Sequence, residues 1–401
     1  MTTGVKELAE NGRCRACQGE TRTFLDLGFS PIANRLLTNP GDSAQTHPLG
    51  LSRCGLCGLV QNSTILSADE LFGPEYPYLS SVSAAVVQNA RDLARKVSCR
   101  LGDGDCILDV GSNDGTLQRA FRDIGLECLG VDPSAIPVGR ARESGLTAYC
   151  RPFNAQTAEW LLKHHGRFSA VTMSNVLAHV CDPLAMLKAA RSILTPATGL
   201  LVLEVQSWRR LVDLGAFDMV YHEHHSHFSL GSLVPLLARA GFSVVEVEET
   251  DMQGGSLRVW CRSEYGNSPM AAAMVELETS ALVDDERRLL AALDRCRRSR
   301  SALIEASTGR NLAGYGAAAK TVTLLAAIGS DIGIRCIADR SPEKIGKFLP
   351  IAGIPIVSPG SLPDHEIEIV LIFAWNLVEE ILPQLHGLEV WVPFPEFRRV
   401  Q

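Results

Sequence analysis

Apolar runs of strand length alternate with amphipathic runs of helix length over most of the chain, and glycine turns mark the changes. Residues 106–110 are a near-continuous apolar run that breaks at Gly111 to Gly115 and opens a helical pattern, which predicts a buried strand, a tight turn and a helix start. Residues 128–131, 169–175 and 199–206 repeat the strand signal. A helix is predicted from 84 to about 97, with Val86, Ala90, Leu93, Ala94 and Val97 on its apolar face. A second follows from about 231 to 241, then a strand over 242–250 and a Gly254-Gly255 turn into a last strand through Trp260, a closing hairpin. From about 270 to 309, Leu289, Leu290, Leu293, Cys296, Leu303 and Ile304 hold an approximate helical period, so a linking helix is expected with Arg295, Arg297, Arg298 and Arg300 on its solvated side. Strands over 311–315, 334–339 and 367–373 then predict a second α/β unit. Residues 26–34 read as a turn-rich connector, and residues 75–83 as a polar strip before the helix at 84.

At 401 residues and 46% hydrophobic content, two or three domains are expected. A net charge of -7 argues against a nucleic-acid surface. No apolar run is long enough to span a bilayer and the first 13 residues lack a signal-peptide core, so a cytoplasmic chain without a membrane partner is expected. Twelve cysteines then argue for thiols and a metal rather than a disulfide framework. Cys14-Arg15-Ala16-Cys17 and Cys54-Gly55-Leu56-Cys57 can each present two thiolates to one tetrahedral ion, and four sulfurs suit a structural zinc. A redox pair at either knuckle is the alternative. The units expected are a zinc-binding lobe over 1–70, a nucleotide-binding domain over 71–265, linking helices over 266–308 and a Rossmann-like domain over 309–401.

The turn after the first long strand reads Asp109-x-Gly111-x-Asn113-x-Gly115, and the next strand ends in Asp132, placed to accept hydrogen bonds from ribose hydroxyls. Asn175 and His179 follow another strand end, on the side where an open α/β sheet binds its ligand. In the last unit, Gly314-Tyr315-Gly316 leads to Lys320. Ala319 stands where a Walker A loop needs glycine, so a diphosphate held by backbone amides and Lys320 is favoured over NTP hydrolysis.

The most concentrated chemistry is Tyr221-His222-Glu223-His224-His225-Ser226-His227, where four of the chain's ten histidines fall within six residues. Such a cluster supplies a proton acceptor, a carboxylate to orient it and a phenol to polarise a partner. A metal-binding histidine tract or a solvated loop are the plainer readings of the same residues.

These motifs, in this order, resemble those of zinc-containing S-adenosylmethionine-dependent C-methyltransferases that act on nucleotide-linked 4-keto-deoxysugars in antibiotic-sugar pathways. The likeness covers nearly the whole chain: both Cys-x-x-Cys pairs, Leu27-Gly28 with Pro31 and Asn34, Tyr76 and Tyr78 with Ser80 and Ser81, Gly111 to Gly115, Asn175 to Val180, Tyr221 to His224, Gly254 to Arg258, and Gly314 to Ala317 with Lys320. It implies a class I methyltransferase domain between a zinc lobe held by Cys14, Cys17, Cys54 and Cys57 and a C-terminal Rossmann-like domain. It further implies S-adenosylmethionine against Asp109, Gly111, Asn113, Gly115, Asp132 and Asn175. A dTDP-4-keto sugar would be held between lobes, with His222, Ser256, Arg258, Tyr315 and Lys320 as candidate contacts. His224 corresponds to the base, Glu223 orients it, and Tyr221, His179, Tyr76 and Tyr78 are candidates to donate to an enolate or anchor the sugar. Two positions depart from the family pattern: His227 replaces a tyrosine and Gln253 a histidine, which implies an altered sugar, methylated carbon or keto substrate. An NAD-dependent nucleotide-sugar oxidoreductase or epimerase is the rival enzyme, and a zinc-ribbon interaction protein with inactive Rossmann units the non-enzymatic alternative. No obligate protein partner is implied.

Overall fold

The computed structural model describes residues 12–72, 78–102, 104–263, 266–394 and 396–401, and these form three sheets. The first starts with an antiparallel ladder of β1 (Thr21–Pro31), β2 (Thr46–Cys54) and β3 (Val60–Asn62). Cys14 and Cys17 precede β1, while Cys54 ends β2 and Cys57 leads into β3. The connector expected over 26–34 is largely strand. The ladder absorbs it by a register shift between Asp26 and Phe29, where the Asp26 carboxylate accepts the Gly28 N–H at 2.8 Å. A local bulge satisfies the turn-forming residues without ending the strand.

The chain then lays down β4 (Cys106–Val110), β5 (Glu127–Asp132), β6 (Ala148–Cys150), β7 (Ala170–Ser174) and β8 (Leu200–Gln206). It leaves this sheet for β9 (Ser226–His227), which pairs with β3, so the histidine-rich stretch completes the first sheet. It returns for the hairpin β10 (Ser243–Thr250) and β11 (Ser256–Arg262), giving the order β10-β11-β8-β7-β4-β5-β6. The strands are parallel except at the β8–β11–β10 edge. The inner strands read as apolar runs because both faces are covered. Ala90, Leu93, Ala94 and Val97 of the helix Ala84–Ser98 pack with Ile107, Phe121 and Trp260 on one side, and Leu187, Ile193, Leu233 and Leu237 cover Leu108 and Leu203 on the other.

The linking element is one 39-residue helix, Pro269–Ser307, started by proline in its first turn and by the Ser268 side chain, which accepts the Ala271 N–H. Arg295, Arg297 and Arg298 are exposed as expected and Arg300 is half-buried; Arg297 also donates to the Ala327 carbonyl at 3.1 Å and Arg300 pairs with Asp331, fastening the helix to the last unit. That unit has β12 (Leu312–Tyr315), β13 (Ile334–Ala338), β14 (Ile356–Val357), β15 (Ile369–Ile372), β16 (Glu389–Val392) and β17 (Arg398–Arg399), in the order β14-β13-β12-β15-β16-β17. The fold is therefore α/β, with a small N-terminal lobe and two Rossmann-like sheets. Leu25, Leu49, Leu51, Trp208, Phe217, Val220, Leu325 and Phe373 share one core, so the lobe and the C-terminal sheet are packed on common residues. Strand order reverses between β4 and β7 and between β12 and β15, the two places where such sheets open a ligand crevice. Among the described residues no helix is long and apolar enough to cross a membrane.

Candidate active site

The four knuckle sulfurs lie within 4.8 Å of one another, with Cys14 and Cys57 at 3.5 Å and Cys17 and Cys54 at 3.4 Å. Tetrahedral zinc with Zn–S bonds of about 2.3 Å separates its sulfurs by about 3.8 Å, so the thiols already stand at coordinating distances. The N–H groups of Gly19 and Leu56 point at Cys17 and Cys54, each at 3.4 Å, and favour thiolates. This donor set fits zinc with no coordination position left for substrate.

At the first crevice Gly111 has φ +70, and a Cβ there would come within 2.3 Å of Val176 Cγ2 on the loop after β7. Only glycine lets the two strand ends approach this closely. Asn113 and Asn175 take left-handed conformations on either side of the opening. Asp132 accepts the N–H groups of Asn113 at 3.0 Å and Ser134 at 2.8 Å, which fixes its carboxylate at the tip of β5. Asp109 lies deeper, bonded to the Thr172 hydroxyl at 2.8 Å, and burial pushes its carboxyl up to about 7. Gly115 caps the helix Thr116–Arg122. Residues 78–82 fold across this turn: Ser80 N–H donates to Asn113, Ser81 N–H to Asp114, and Asn113 to the Tyr78 carbonyl. Tyr76 lies outside the described residues.

Beside this crevice sits the histidine stretch, with all six residues from His222 to His227 buried. His224 Nδ1 faces the Met219 carbonyl at 2.9 Å, and a carbonyl only accepts, so Nδ1 carries the proton. Its Nε2 is then a free lone pair, met by the Tyr221 hydroxyl at 2.7 Å. His179 Nδ1 is held the same way by the Glu223 carbonyl at 2.8 Å, with its ring 4.9 Å from that of His224. His179 therefore offers an acceptor to the site rather than the donor expected for an enolate. Burial lowers His179 to about 4 and His224 well below its ordinary value, so both are neutral near pH 7. Asn34 donates to Glu223 Oε1 from its side chain at 3.1 Å, while Oε2 is buried without a partner among the described residues, and burial pushes this carboxyl up to about 7. His227 packs 5.9 Å from His224 and 6.2 Å from Trp208.

Other candidates are placed elsewhere. His222 turns to the zinc lobe, its Nε2 at 3.3 Å from the Pro48 carbonyl. Arg258 is 2% exposed and committed to Glu204 at 2.8 Å and Asn89 at 2.6 Å, and the Ser256 hydroxyl donates to the Met252 carbonyl at 3.0 Å. Both side chains serve the β11 edge, a correction to their reading as sugar contacts: a charge in the interior needs its own partner, and Glu204 is that partner. At the second crevice the Tyr315 hydroxyl donates to Gln384 at 2.8 Å. Lys320 donates to Asn376 and lies 4.9 Å from the Trp375 ring centroid. Trp375 Nε1 donates to Asp218 at 2.8 Å, and Trp375 also packs where a Cβ on Gly254 would stand. Burial lowers Lys320 to about 8 and raises Asp218 to about 7. The sequence does not single out Asp218, Asn62 or Arg15 as functional: Arg15 is a spacer residue inside the first Cys-x-x-Cys, and Asp218 and Asn62 are single polar residues outside any motif.

Three family models cover most of the chain: one described as a “Putative zinc binding domain” matches residues 14–72, a “Methyltransferase domain” matches 85–247, and a “C-methyltransferase C-terminal domain” matches 251–392. C-methyltransferase NovU of Streptomyces niveus is 33% identical over 404 residues, covering 96% of each chain. The chain belongs to this C-methyltransferase family. A ubiquinone biosynthesis O-methyltransferase of Cereibacter sphaeroides (strain ATCC 17029 / ATH 2.4.9) is 38% identical over 120 residues, 29% of this chain and 47% of that protein. Magnesium protoporphyrin IX methyltransferase from Synechocystis PCC 6803, solved with bound SAM, is 18% identical over 45% of this chain and 79% of its own, at a TM-score of 0.34. The chain is thus a C-methyltransferase, and its four knuckle thiols form a site that fits a structural zinc.

Two outcomes are expected from this geometry. Elemental analysis of undisturbed protein should give one zinc per chain, and changing Cys14, Cys17, Cys54 and Cys57 to serine should abolish it; full zinc in that variant would refute the assignment. Asp132→Ala should weaken S-adenosylmethionine binding by about 1–3 kcal/mol in calorimetry while sugar-nucleotide binding changes little. Equal losses for both ligands would remove Asp132 from the cofactor site.

Proposed function

We propose that this C-methyltransferase methylates a carbon next to the ketone of a nucleotide-linked 4-keto-deoxysugar, with dTDP as the nucleotide, through an enolate formed by His224. The observation that carries this reading is the fixed tautomer of His224. With Nδ1 committed to Met219, the only basic atom of the ring is Nε2, and it lies against Tyr221. A carbon beside a ketone must lose a proton before it can attack an electrophile, so the site needs a base at the carbon and a donor at the oxygen. Once substrate displaces the phenol, Nε2 takes the carbon-bound proton and the C–H electron pair moves into the enolate. The Tyr221 hydroxyl then donates to the enolate oxygen. S-adenosylmethionine, when bound, supplies the electrophilic methyl. His179 and the unpartnered Glu223 Oε2 offer acceptors for sugar hydroxyls, and Tyr78 borders the cofactor turn. A positioned base is worth on the order of 10²–10⁴ in rate.

The diphosphate is read at the second crevice, where Lys320 stands beside Asn376 at the β12–β15 reversal. An anion there would offset the burial that lowers its pKa. The chain is read as units over 1–70, 71–265, 266–308 and 309–401, acting in the cytoplasm, where reduced thiols hold zinc.

The base is tested by isotope exchange. With S-adenosylhomocysteine and a 4-keto sugar nucleotide in heavy water, the wild type should place deuterium on the carbon to be methylated, since the enolate has no methyl to attack. His224→Asn should lose exchange and methylation while still binding sugar nucleotide, because an amide cannot accept the proton at neutral pH. His227→Asn should keep exchange; normal exchange in His224→Asn with loss in His227→Asn would move the base to 227.

The pH profile gives a second test. A protonated histidine cannot accept a proton, so activity falls as pH drops through the His224 pKa, and burial places that limb well below 6.5. Glu223, raised to about 7, gains its charge as pH rises through neutrality, and the charged form accepts a sugar hydroxyl better. KM for the sugar nucleotide should fall as pH rises through 7 and lose that dependence in Glu223→Gln. A kcat limb near 6.5 that persists in Glu223→Gln would contradict the buried neutral base.

A further inference from the structure

Arg15 sits between the two cysteines of the first knuckle and is 7% exposed. A buried guanidinium is costly unless its charge is balanced and its donors are used. Its two terminal nitrogens are used on the active-site side, while Nε is buried without a partner among the described residues. One terminal nitrogen donates to the His225 carbonyl, the other to the Asn62 carbonyl at 3.0 Å, and the Arg15 backbone N–H donates to the Gln61 side chain at 3.0 Å. Among the described residues Arg15 forms no ion pair with a carboxylate. The anionic groups within its reach are the knuckle thiols, since Arg15 lies between Cys14 and Cys17 of the four-sulfur cluster. Four thiolates around a divalent ion carry a net charge of about −2, which makes the filled zinc site the anion next to Arg15.

The carbonyls that Arg15 holds lie on either side of a clamp. Asn62 N–H donates to the same His225 carbonyl at 3.0 Å, and Asn62 Nδ2 donates to the Tyr221 carbonyl at 2.8 Å. Tyr221 and His225 are the two ends of the turn that carries His224, closed by the His224 N–H to the Tyr221 carbonyl at 2.9 Å. Asn62 thus grips both ends, and Arg15 fixes Asn62 and one end together. From the other side, Arg239 donates to the Ala16 carbonyl, holding the knuckle in place.

We propose that Arg15 is a positioning residue for methyl transfer: a buried cation, balanced by the zinc–tetrathiolate, that locks the Tyr221–His225 turn to the zinc lobe through Asn62 and the His225 carbonyl. The zinc then acts on the chemistry at one remove, by setting where Tyr221 and His224 stand. This rests on the reading of His224 as the base. A misplacement of about 1 Å at a reacting group can cost about 100-fold in rate, so the lock needs only to prevent small shifts.

The test compares Arg15→Lys and Arg15→Gln with wild-type holoenzyme by zinc content, by backbone hydrogen exchange of peptides covering 221–228, and by kcat and KM. Both variants should keep one zinc per chain and the wild-type KM for S-adenosylmethionine. Exchange should quicken over 221–228 and stay unchanged in the central strands of the methyltransferase sheet. In Arg15→Gln kcat should fall roughly 10- to 100-fold, and Arg15→Lys, which keeps the charge but cannot fork to two carbonyls, should fall between it and wild type. Wild-type kcat and exchange over 221–228 in either variant would overturn the proposal, as would faster exchange spread evenly over the whole chain. If Arg15→Gln does not fold, Arg15→Lys decides alone by the same measurements. Failure of wild-type enzyme to methylate any 4-keto sugar nucleotide would count against the functional reading instead, and leaves the zinc and exchange results to judge Arg15.

Discussion

The stretch from Asp218 to Phe228 runs through the interior, and a buried backbone must have its carbonyls and N–H groups met. Little of that need is met within the stretch itself, so its partners come from all three units of the chain. The zinc lobe supplies Asn62 and the β3 pairing, and the methyltransferase sheet supplies His179 and the Trp208 N–H, which donates to the Phe228 carbonyl at 2.9 Å. The C-terminal unit supplies Trp375 to Asp218 and the Thr323 hydroxyl, which donates to the Val220 carbonyl at 3.3 Å. The units meet where this stretch requires donors. That requirement explains why a polar sequence can lie in a core, and why its histidines are neutral.

The two larger sheets solve the same local problem in the same way. At the tip of β5, Asp132 accepts the N–H of Asn113 in the preceding glycine turn and of Ser134 two residues on. At the tip of β13, Asp339 accepts Ala317 and Ser341 N–H groups, each at 2.8 Å. In both, a carboxylate orders the turn at a strand-order reversal, so each crevice is shaped before a ligand arrives. The difference lies around them. The first turn is overlaid by residues 78–82, while the second opens toward Lys320, Trp375 and Asn376, with a buried aspartate facing them from the methyltransferase side.

How much of this is legible in the sequence depends on whether a residue works through its neighbours in the chain or across space. The knuckles, the Asp109–Gly115 turn and the linking helix are local, and spacing and periodicity locate them. The histidine stretch is visible as chemistry, but which nitrogen is basic is set by the Met219 carbonyl, and a two-residue strand such as β9 has no period to detect. Asn62 and Tyr221 are 159 positions apart and Asn34 and Glu223 189, so their bonds leave no local trace. Arg258 shows the opposite error. After a double glycine it looks like a ligand contact, and only the fold reveals Glu204 facing it from the next strand.

His224 also bears on why the site excludes solvent so fully. In water an imidazole near neutral pH is partly protonated and its lone pair is partly occupied by solvent, so burial keeps it neutral but also makes the imidazolium formed on proton uptake costly. Tyr221 and Met219 address opposite halves of that cost: the phenol occupies the lone pair until substrate enters, and the carbonyl accepts from the ring N–H more strongly once the ring is charged. A base that is hard to charge returns its proton readily, which favours the carbon over the ring at equilibrium. The enolate would then be short-lived, so forward progress depends on an electrophile already in place. The first crevice, overlaid by residues 78–82, meets that requirement in the proposed reading: the loop after β7 that carries Asn175 and His179 is joined to the Tyr221–His225 turn by the His179 ring and the Glu223 carbonyl at 2.8 Å.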